Sequence, residues 1–337
     1  MKPLLLLLAV FVAVPASAQD KVVNLYSSRH YQTDEALYSG FTRLTGIKVN
    51  RIEGGEDALI ERIRNEGARS PADVIITVDA GRLWRAEQLG LFQPVSSTLL
   101  QARIPESYRD PAGHWYGFSL RARLIAYNKA KVRPGEIQSY EELADAKWKG
   151  RLCMRSSTNV YNLSLMGALI EHLGGEKAEA WARGVRSNLA QDPKGGDTDQ
   201  LKAVAAGQCD VTFSNQYYYA RLARSGKPDE RAVADSIGVV FPNQNTWGTH
   251  VNISGAGVAR HAPNRDAAVK FLEYLASDEA QRYFADGNNE WPVVAGVKIE
   301  NAVLGEFGEF KRDRLNVAIL GRNQPGSQKI YDRAAWK

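Results

Sequence analysis

Apolar residues follow two alternating spacings along the first part of the chain. Short β-prone runs at 22–26, 47–52 and 73–78 are separated by stretches with helical spacing, such as Leu37, Phe41 and Leu44. Gly46 and Gly90 stand where two of these helices are expected to end. The order strand, helix, strand predicts an open α/β sheet covered by helices.

The pattern breaks between residues 94 and 119, where Pro and Gly mark irregular connections, and then resumes. We predict further strands at LIAYN, RLCMR, CDVTF, IGVVF and 253–258, and helices after Ser139, from Asn159 to Leu173 and through Leu222. Two α/β sheets joined near residues 118 and 252 satisfy this order. Residues 19–118 and 252–300 would form one lobe, and residues 119–251 and 301–337 the other.

The first twenty residues differ from the rest of the chain. Lys2 is followed by an apolar stretch from Leu4 to Val14 and then by Ala16-Ser17-Ala18. This pattern predicts a signal peptide, residues 1–18, that is cleaved after Ala18. A membrane anchor is the alternative, but the apolar stretch is shorter than the roughly 20 residues that cross a bilayer. We therefore expect an exported protein with no membrane span after cleavage.

Composition narrows the function classes. The 337 residues, 44% of them hydrophobic, suffice for two domains with ordinary cores. The net charge of +5 is spread over 43 basic and 38 acidic residues without a basic tail, so nucleic acid is not an expected partner.

The chain contains two cysteines, Cys153 and Cys209. Export permits a disulfide, and both cysteines lie in or beside predicted strands that could be neighbours. A structural bridge is favoured over two buried thiols. A metal pair or redox centre would require closer spacing.

Tyrosines stand where strands lead into helices. Tyr31 follows the first strand, Tyr161 begins the helix after RLCMR, and Tyr217, Tyr218 and Tyr219 begin the helix after CDVTF. Ligands of open α/β sheets bind at these strand ends. Successive helical residues point about 100° apart, so at most two of the three consecutive tyrosines can reach one ligand.

Convergent tyrosines indicate a hard, highly charged cation. Phenolate is a hard oxygen donor, and Fe(III) is the common ion that can hold it deprotonated, whereas Ca²⁺, Mg²⁺ and Zn²⁺ favour other ligands. Three phenolates neutralise a trivalent ion and four leave one negative charge. Arg29, with Arg121 or Arg123, could balance that charge through hydrogen bonds to phenolate oxygens.

Three other interpretations remain open. Tyr161 stands four residues before Leu165, which is also the spacing of a buried helix face, so the tyrosines could serve packing alone. A binding protein for a small anion or organic solute could use Arg29 and Arg121 as its main contacts. An exported enzyme is the third, but the sequence contains no Gly-x-Ser-x-Gly or His-Glu-x-x-His motif.

Several stretches resemble periplasmic ferric-iron-binding proteins, the substrate-binding components of iron ABC importers. They include SSRHYQTDEALYSGF, WYGFSLRARLIAYNK, RSSTNVYNLSLMGALI, SNQYYYARL and FLEYLASDEAQRYFADGNNEWPV. The similarity covers the mature chain and is closest to the branch with a His-Tyr first loop, which includes cyanobacterial ferric-binding proteins.

The resemblance implies a two-lobed periplasmic binding protein fold of type II, with a mixed sheet flanked by helices in each lobe and the ligand in the cleft between them. It implies no enzyme activity and a monomer that delivers Fe(III) to an inner-membrane ABC permease. Tyr31, Tyr161, Tyr217 and Tyr218 are the implied iron ligands. His30 is a ligand in some relatives only, and a bound anion such as carbonate is a feature of other branches.

Overall fold

A computed structural model describes residues 21–29, 31 and 33–337. The predicted signal peptide and His30 lie outside the described residues. Among the described helices, none is both long enough and apolar enough to cross a bilayer.

The elements of the first half of the chain follow the predicted alternation. The strands are β1 (Val22–Ser27), β2 (Lys48–Glu53), β3 (Val74–Thr77) and β4 (Tyr116–Asn128). The α-helices are α1 (Asp34–Thr45), α2 (Glu56–Glu66), α3 (Ala80–Gln88) and α4 (Thr98–Arg103). Gly46 and Gly90 adopt positive φ angles of 71° and 66° where α1 and α3 end, a conformation that glycine adopts without strain.

The second half contains more helix. Its strands are β5 (Val211–Asn215), β6 (Ile237–Val240), β7 (Val251–Val258) and β8 (Trp291–Pro292). Its α-helices are α5 (Val160–Leu173), α6 (Gly175–Ser187), α7 (Asp197–Ala205), α8 (Gln216–Ala223), α9 (Pro228–Ser236), α10 (Arg265–Leu275), α11 (Asp278–Asn288), α12 (Ala302–Glu306) and α13 (Ala318–Arg333).

One long strand belongs to two sheets. Residues 116–122 of β4 pair antiparallel with β7 and, near Leu120, with β8, in a sheet ordered β2-β1-β3-β7-β4. Beyond Ala122 the same strand pairs antiparallel with β5 and β6. β1 is parallel to β2 and β3, while β3 is antiparallel to β7. The predicted α/β fold with mixed sheets is thus confirmed.

The chain crosses between the two sheets twice, at strand β4 and at the start of β7. Arg123 and His250 lie at these crossings, and the Arg123 backbone N–H donates to the His250 carbonyl at 3.0 Å. The predicted lobe limits near 118 and 252 fall within β4 and β7. The division of the chain into lobes stays a prediction.

The last part of the chain, residues 301–337, packs against the hydrophobic cores of both sheets. Leu304, Val317 and Leu320 lie in the hydrophobic core around the first sheet. Tyr331 and Trp336 lie in the core around the second sheet. Helix α13 packs mainly on α5 and also on α3.

Three local predictions were wrong. RLCMR was predicted to be a strand, but it forms only isolated β-bridges from Leu152 to Leu189 and Val211. It is not a strand because the residues on either side of Leu152 do not continue this pairing. The helix predicted after Ser139 is two 3₁₀ turns, Glu141–Ala144 and Ala146–Trp148, since Asp145 is extended between them. The irregular stretch ends at Trp115, because β4 already begins at Tyr116.

Cys153 and Cys209 form a disulfide. The Cys153 backbone N–H donates to the Val211 carbonyl at 3.0 Å, which places the two cysteines on neighbouring segments. The bridge lies in the hydrophobic core on one face of the second sheet. It therefore fastens the segment 151–154 to β5, whose end carries the tyrosine run.

Candidate metal centre

Tyr31 extends from the loop that joins β1 to α1. Its carbonyl accepts a hydrogen bond from the Asp34 backbone N–H at 3.0 Å, so the loop closes directly onto the helix start. The Arg29 guanidinium carbon lies 4.7 Å from the centroid of the Tyr31 ring. The loop is therefore held between a buried cation and the first helical turn.

Tyr161 lies in the first turn of α5. The Asn159 side chain caps this helix by accepting from the Tyr161 backbone N–H at 3.1 Å. The Tyr161 ring packs against Val78, which ends the strand segment before α3, and against Val160. The ring thus lies between the end of β3 and the start of α5.

Tyr217 and Tyr218 begin α8 directly after β5. Their rings lie against each other with centroids 4.3 Å apart. Tyr219 turns away and packs on Phe307 with centroids 5.9 Å apart. Two of the three consecutive tyrosines therefore reach the centre, which agrees with the angular limit of helical geometry.

Four tyrosines from the starts of three helices, α1, α5 and α8, or the loop just before them, meet at one place. The Tyr217 hydroxyl donates to the Tyr161 hydroxyl at 3.2 Å. The Tyr31 and Tyr217 ring centroids are 6.1 Å apart, edge to face. Tyr218 packs against the cluster formed by Val78, Val160 and Tyr161. The structure thus brings Tyr31, Tyr161, Tyr217 and Tyr218 together, while His30 is not described.

The surroundings keep these phenols neutral. Burial, followed by the charge of neighbouring tyrosines, raises the pKa of Tyr31, Tyr161 and Tyr217 well above the ordinary phenol value. Arg121 lowers the pKa of all three. Since the net effect is upward, all three carry their protons at neutral pH. A cation must supply the energy to remove those protons.

Two buried acids bind the arginines that the sequence singled out. Arg29 contacts Asp34 at 2.7 Å and Glu290 at 3.2 Å. Arg121 lies 3.7 Å from Glu290 and donates to the Val78 carbonyl and the Ser254 hydroxyl, the latter at 2.7 Å. Glu290 is fully buried. Sequence reasoning missed Glu290, although two arginines on a buried strand and loop required an acidic partner.

A second group of charges lies behind Tyr161. Asp197 is fully buried and contacts Arg123 at 2.5 Å and Arg155 at 3.0 Å. The Arg155 guanidinium carbon lies 5.6 Å from the centroid of the Tyr161 ring. The Arg221 guanidinium carbon lies 5.6 Å from the Tyr218 ring centroid. Neither Arg155 nor Arg221 was expected, and only their positions near the tyrosine motifs could have indicated them.

A groove of about 630 Å³ opens beside Tyr161 and Tyr218. One wall comes from the loops at 28–29 and 53–56, and the other from Arg155, Asn159 and Val160. The tyrosine cluster is therefore reached from solvent between elements of the two sheets. A ligand site at the strand ends between two α/β sheets joined by crossing strands defines a solute-binding protein.

The family follows from comparison with known proteins. Residues 69–306 match the family described as bacterial extracellular solute-binding protein, and the chain belongs to that family. The prediction of a binding protein instead of an enzyme is confirmed by this membership.

Individual relatives indicate which kind of solute-binding protein the chain resembles. Iron uptake protein A1 from Synechocystis is 53% identical over 319 residues, which are 95% of this chain and 88% of that protein. The major ferric iron-binding protein of Neisseria meningitidis serogroup B is 30% identical and covers 86% of this chain, with 85% of its own length matched. The structure of Trichodesmium IdiA (FutA) with iron and citrate ligands superposes with a TM-score of 0.91 at 57% identity, covering 94% of this chain and all of that one. The resemblance to ferric-binding proteins is thus confirmed.

Proposed function

We propose that this protein binds Fe(III) outside the cytoplasm and delivers it to an inner-membrane ABC permease. The iron ligands are the phenolates of Tyr31, Tyr161, Tyr217 and Tyr218. The observation that carries the proposal is the convergence of these side chains, with the Tyr217 and Tyr161 hydroxyl oxygens 3.2 Å apart. Relatives named for iron uptake and ferric iron binding support it.

The chemistry of the cluster selects for a trivalent ion. Neighbouring buried phenols lose their protons only if the charge of the ion exceeds the combined cost of desolvation and mutual repulsion. Divalent Ca²⁺ and Mg²⁺ bind carboxylate and carbonyl oxygens instead. Fe(III) meets both demands, since it is hard and carries three charges.

The remaining coordination positions go to a histidine and a small anion. His30 precedes Tyr31 directly and is one proposed ligand. A small anion such as carbonate, entering by the groove beside Tyr161, is the other. The Trichodesmium relative was solved in complex with iron and citrate ligands, which supports the proposal of a small anion.

The two lobes divide the ligands unequally. With lobes of residues 19–118 plus 252–300 and 119–251 plus 301–337, Tyr31 belongs to the first and the other three tyrosines to the second. Iron then binds first to Tyr161, Tyr217 and Tyr218, and closure adds Tyr31. We place this monomer in the periplasm after removal of residues 1–18.

The rival proposal, a binding protein for a small anion held by Arg29 and Arg121, has less support. Both guanidinium groups already contact buried carboxylates, Asp34 and Glu290. An incoming anion would have to compete with these fixed partners. The tyrosine cluster would also be left without a role.

Titration with Fe(III) tests the proposal. Wild-type protein should develop a visible phenolate-to-iron charge-transfer band, which the double variant Tyr217→Phe/Tyr218→Phe should lose together with most of its affinity. Tyr219→Phe is the matched control, because Tyr219 packs on Phe307 and should leave band and affinity unchanged. An unchanged spectrum and affinity in the double variant would refute the proposal.

A further inference from the structure

The charges on the Tyr31 side of the centre cancel. Arg29 and Arg121 contribute two positive charges, and Asp34 and Glu290 contribute two negative charges. All four side chains are at least 97% buried. Arg29 and Arg121 therefore orient groups near Tyr31, but their group has no net charge to offset an additional phenolate.

The charges on the Tyr161 side do not cancel. Asp197 is shared by Arg123 and Arg155, so two positive charges meet one negative charge. Arg123 is fixed in the interior by further hydrogen bonds to the side-chain oxygens of Asn162 and Asn215. The group keeps one net positive charge.

Arg155 is the positively charged residue of this group that lines the groove. Its side chain is 17% exposed, whereas that of Arg123 is 1% exposed. It lines the groove with Tyr161 and Tyr218, and its charge acts on both of their hydroxyls. Its Nε atom is buried and, among the described residues, has no hydrogen-bond acceptor. One donor of Arg155 is thus left without an acceptor in the part of the chain that the structure describes.

The wall opposite Arg155 increases the need for a cation. Glu56 lines the groove with its side chain 14% exposed, and burial raises the pKa of its carboxyl to about 7. Its nearest cation is Arg82, at 3.7 Å, which also contacts Asp57 at 2.9 Å. No surplus positive charge comes from that side.

We propose that Arg155 supplies the positive charge that balances the fourth phenolate when a trivalent ion binds to the four tyrosines. This inference rests on the proposed function. It assigns Arg155 as a positioning residue that acts on the ligands Tyr161 and Tyr218 from outside the metal's own shell. Without it, four phenolates and one trivalent ion leave one negative charge in a largely buried site, and a bound anion would add to that charge.

The experiment counts phenolates with Ga(III), a trivalent ion that does not change its oxidation state. Ultraviolet difference absorption of tyrosinate gives the number of phenols deprotonated per bound ion, and competition with a chelator gives the affinity. Wild type should form four phenolates. Arg155→Gln should form three phenolates and bind Ga(III) at least about tenfold more weakly. This is the effect expected at intermediate dielectric for removing a charge that lies 5.6 Å from the Tyr161 ring centroid.

Two further variants make the outcome specific. Arg155→Lys keeps the charge and should restore four phenolates, whereas a merely structural role of Arg155 would leave it at three. Arg82→Gln removes an equally buried arginine that faces Glu56 and Asp57, and it should keep four. Arg155→Gln should fold, because the Arg123–Asp197 pair remains neutral.

The failures of the two proposals are distinguishable. Four phenolates and unchanged affinity in Arg155→Gln would overturn the role of Arg155 and leave tyrosine ligation intact. Three phenolates in Arg155→Lys as well would overturn the charge argument. A wild-type protein that binds Ga(III) without tyrosinate absorption would overturn the tyrosine ligation itself.

Discussion

At the scale of single residues, the centre depends on groups that are unfavourable when the cation is absent. The buried tyrosines remain protonated, since burial and mutual repulsion raise the pKa of Tyr31, Tyr161 and Tyr217. A buried site of neutral phenols has little affinity for weakly charged ions. The proposed selectivity for a trivalent ion thus follows from the cost of ionising each phenol.

Glu290 is the carboxylate shared by two buried arginines. It contacts both Arg29 and Arg121 and accepts from the Ser119 hydroxyl at 3.0 Å. Glu290→Gln would leave two buried guanidinium groups with only Asp34 as a carboxylate partner. We expect a loss of about 3 kcal/mol in the free energy of unfolding, measured by urea denaturation at neutral pH.

An exposed pair provides the control for that prediction. Glu279 pairs with Arg43 at 2.8 Å, and both side chains are more than half exposed. Glu279→Gln should change the unfolding free energy by less than about 1 kcal/mol. Equal effects of the two substitutions would show that the Glu290 network adds no more than a surface pair.

At the scale of elements, the sequence predicted well wherever local pattern decides the structure. The helix starts that carry Tyr161 and Tyr217 were predictable, because apolar runs and cap residues such as Asn159 are local signals. The failure at RLCMR has a long-range cause. RLCMR resembles a strand in composition, but its pairing depends on the distant residues Leu189 and Val211.

The crossing segment before β7 contains a second non-local feature. His250 is 2% exposed, and its Nδ1 atom has no hydrogen-bond partner among the described residues. The pKa of His250 is lowered to about 3, chiefly by burial; Arg123 and His172 also lower it, while Asp313 raises it. No sequence pattern marks this histidine, because its burial results from two chain crossings meeting.

That lowered pKa predicts acid sensitivity. The unfolded chain takes up a proton at His250 below about pH 6.5, whereas the folded protein does not until about pH 3, so stability should fall as pH decreases through this window. His250→Gln should lose less stability between pH 6.5 and 4, by urea denaturation at several pH values. Identical slopes in wild type and variant would show that His250 does not titrate differently on folding.

At the scale of the whole molecule, the site exists only because distant parts of the chain meet. Glu290 contacts Arg29 across 261 positions, and Tyr161 lies 56 positions before Tyr217. The sequence could nominate the tyrosines, since each follows a β-prone run and stands at or just before the start of a helix. The acidic partners of the arginines could not be predicted from the sequence, because those contacts depend on how the two sheets are joined.

The assembled site determines which arginines keep a net positive charge. Of the arginines nominated from the sequence, Arg29 and Arg121 are neutralised by Asp34 and Glu290. Arg123, the third, shares Asp197 with Arg155, and this group keeps one surplus positive charge. Position relative to an acid, not proximity to a motif, decides which arginine is electrostatically active.

The position of the iron atom tests the central claim most directly. Crystals of the Fe(III)-loaded protein should show one strong anomalous scattering peak at the iron absorption edge, within bonding distance of the hydroxyl oxygens of Tyr31, Tyr161, Tyr217 and Tyr218. A peak bound by other side chains, with these four tyrosines outside bonding distance, would contradict the assignment.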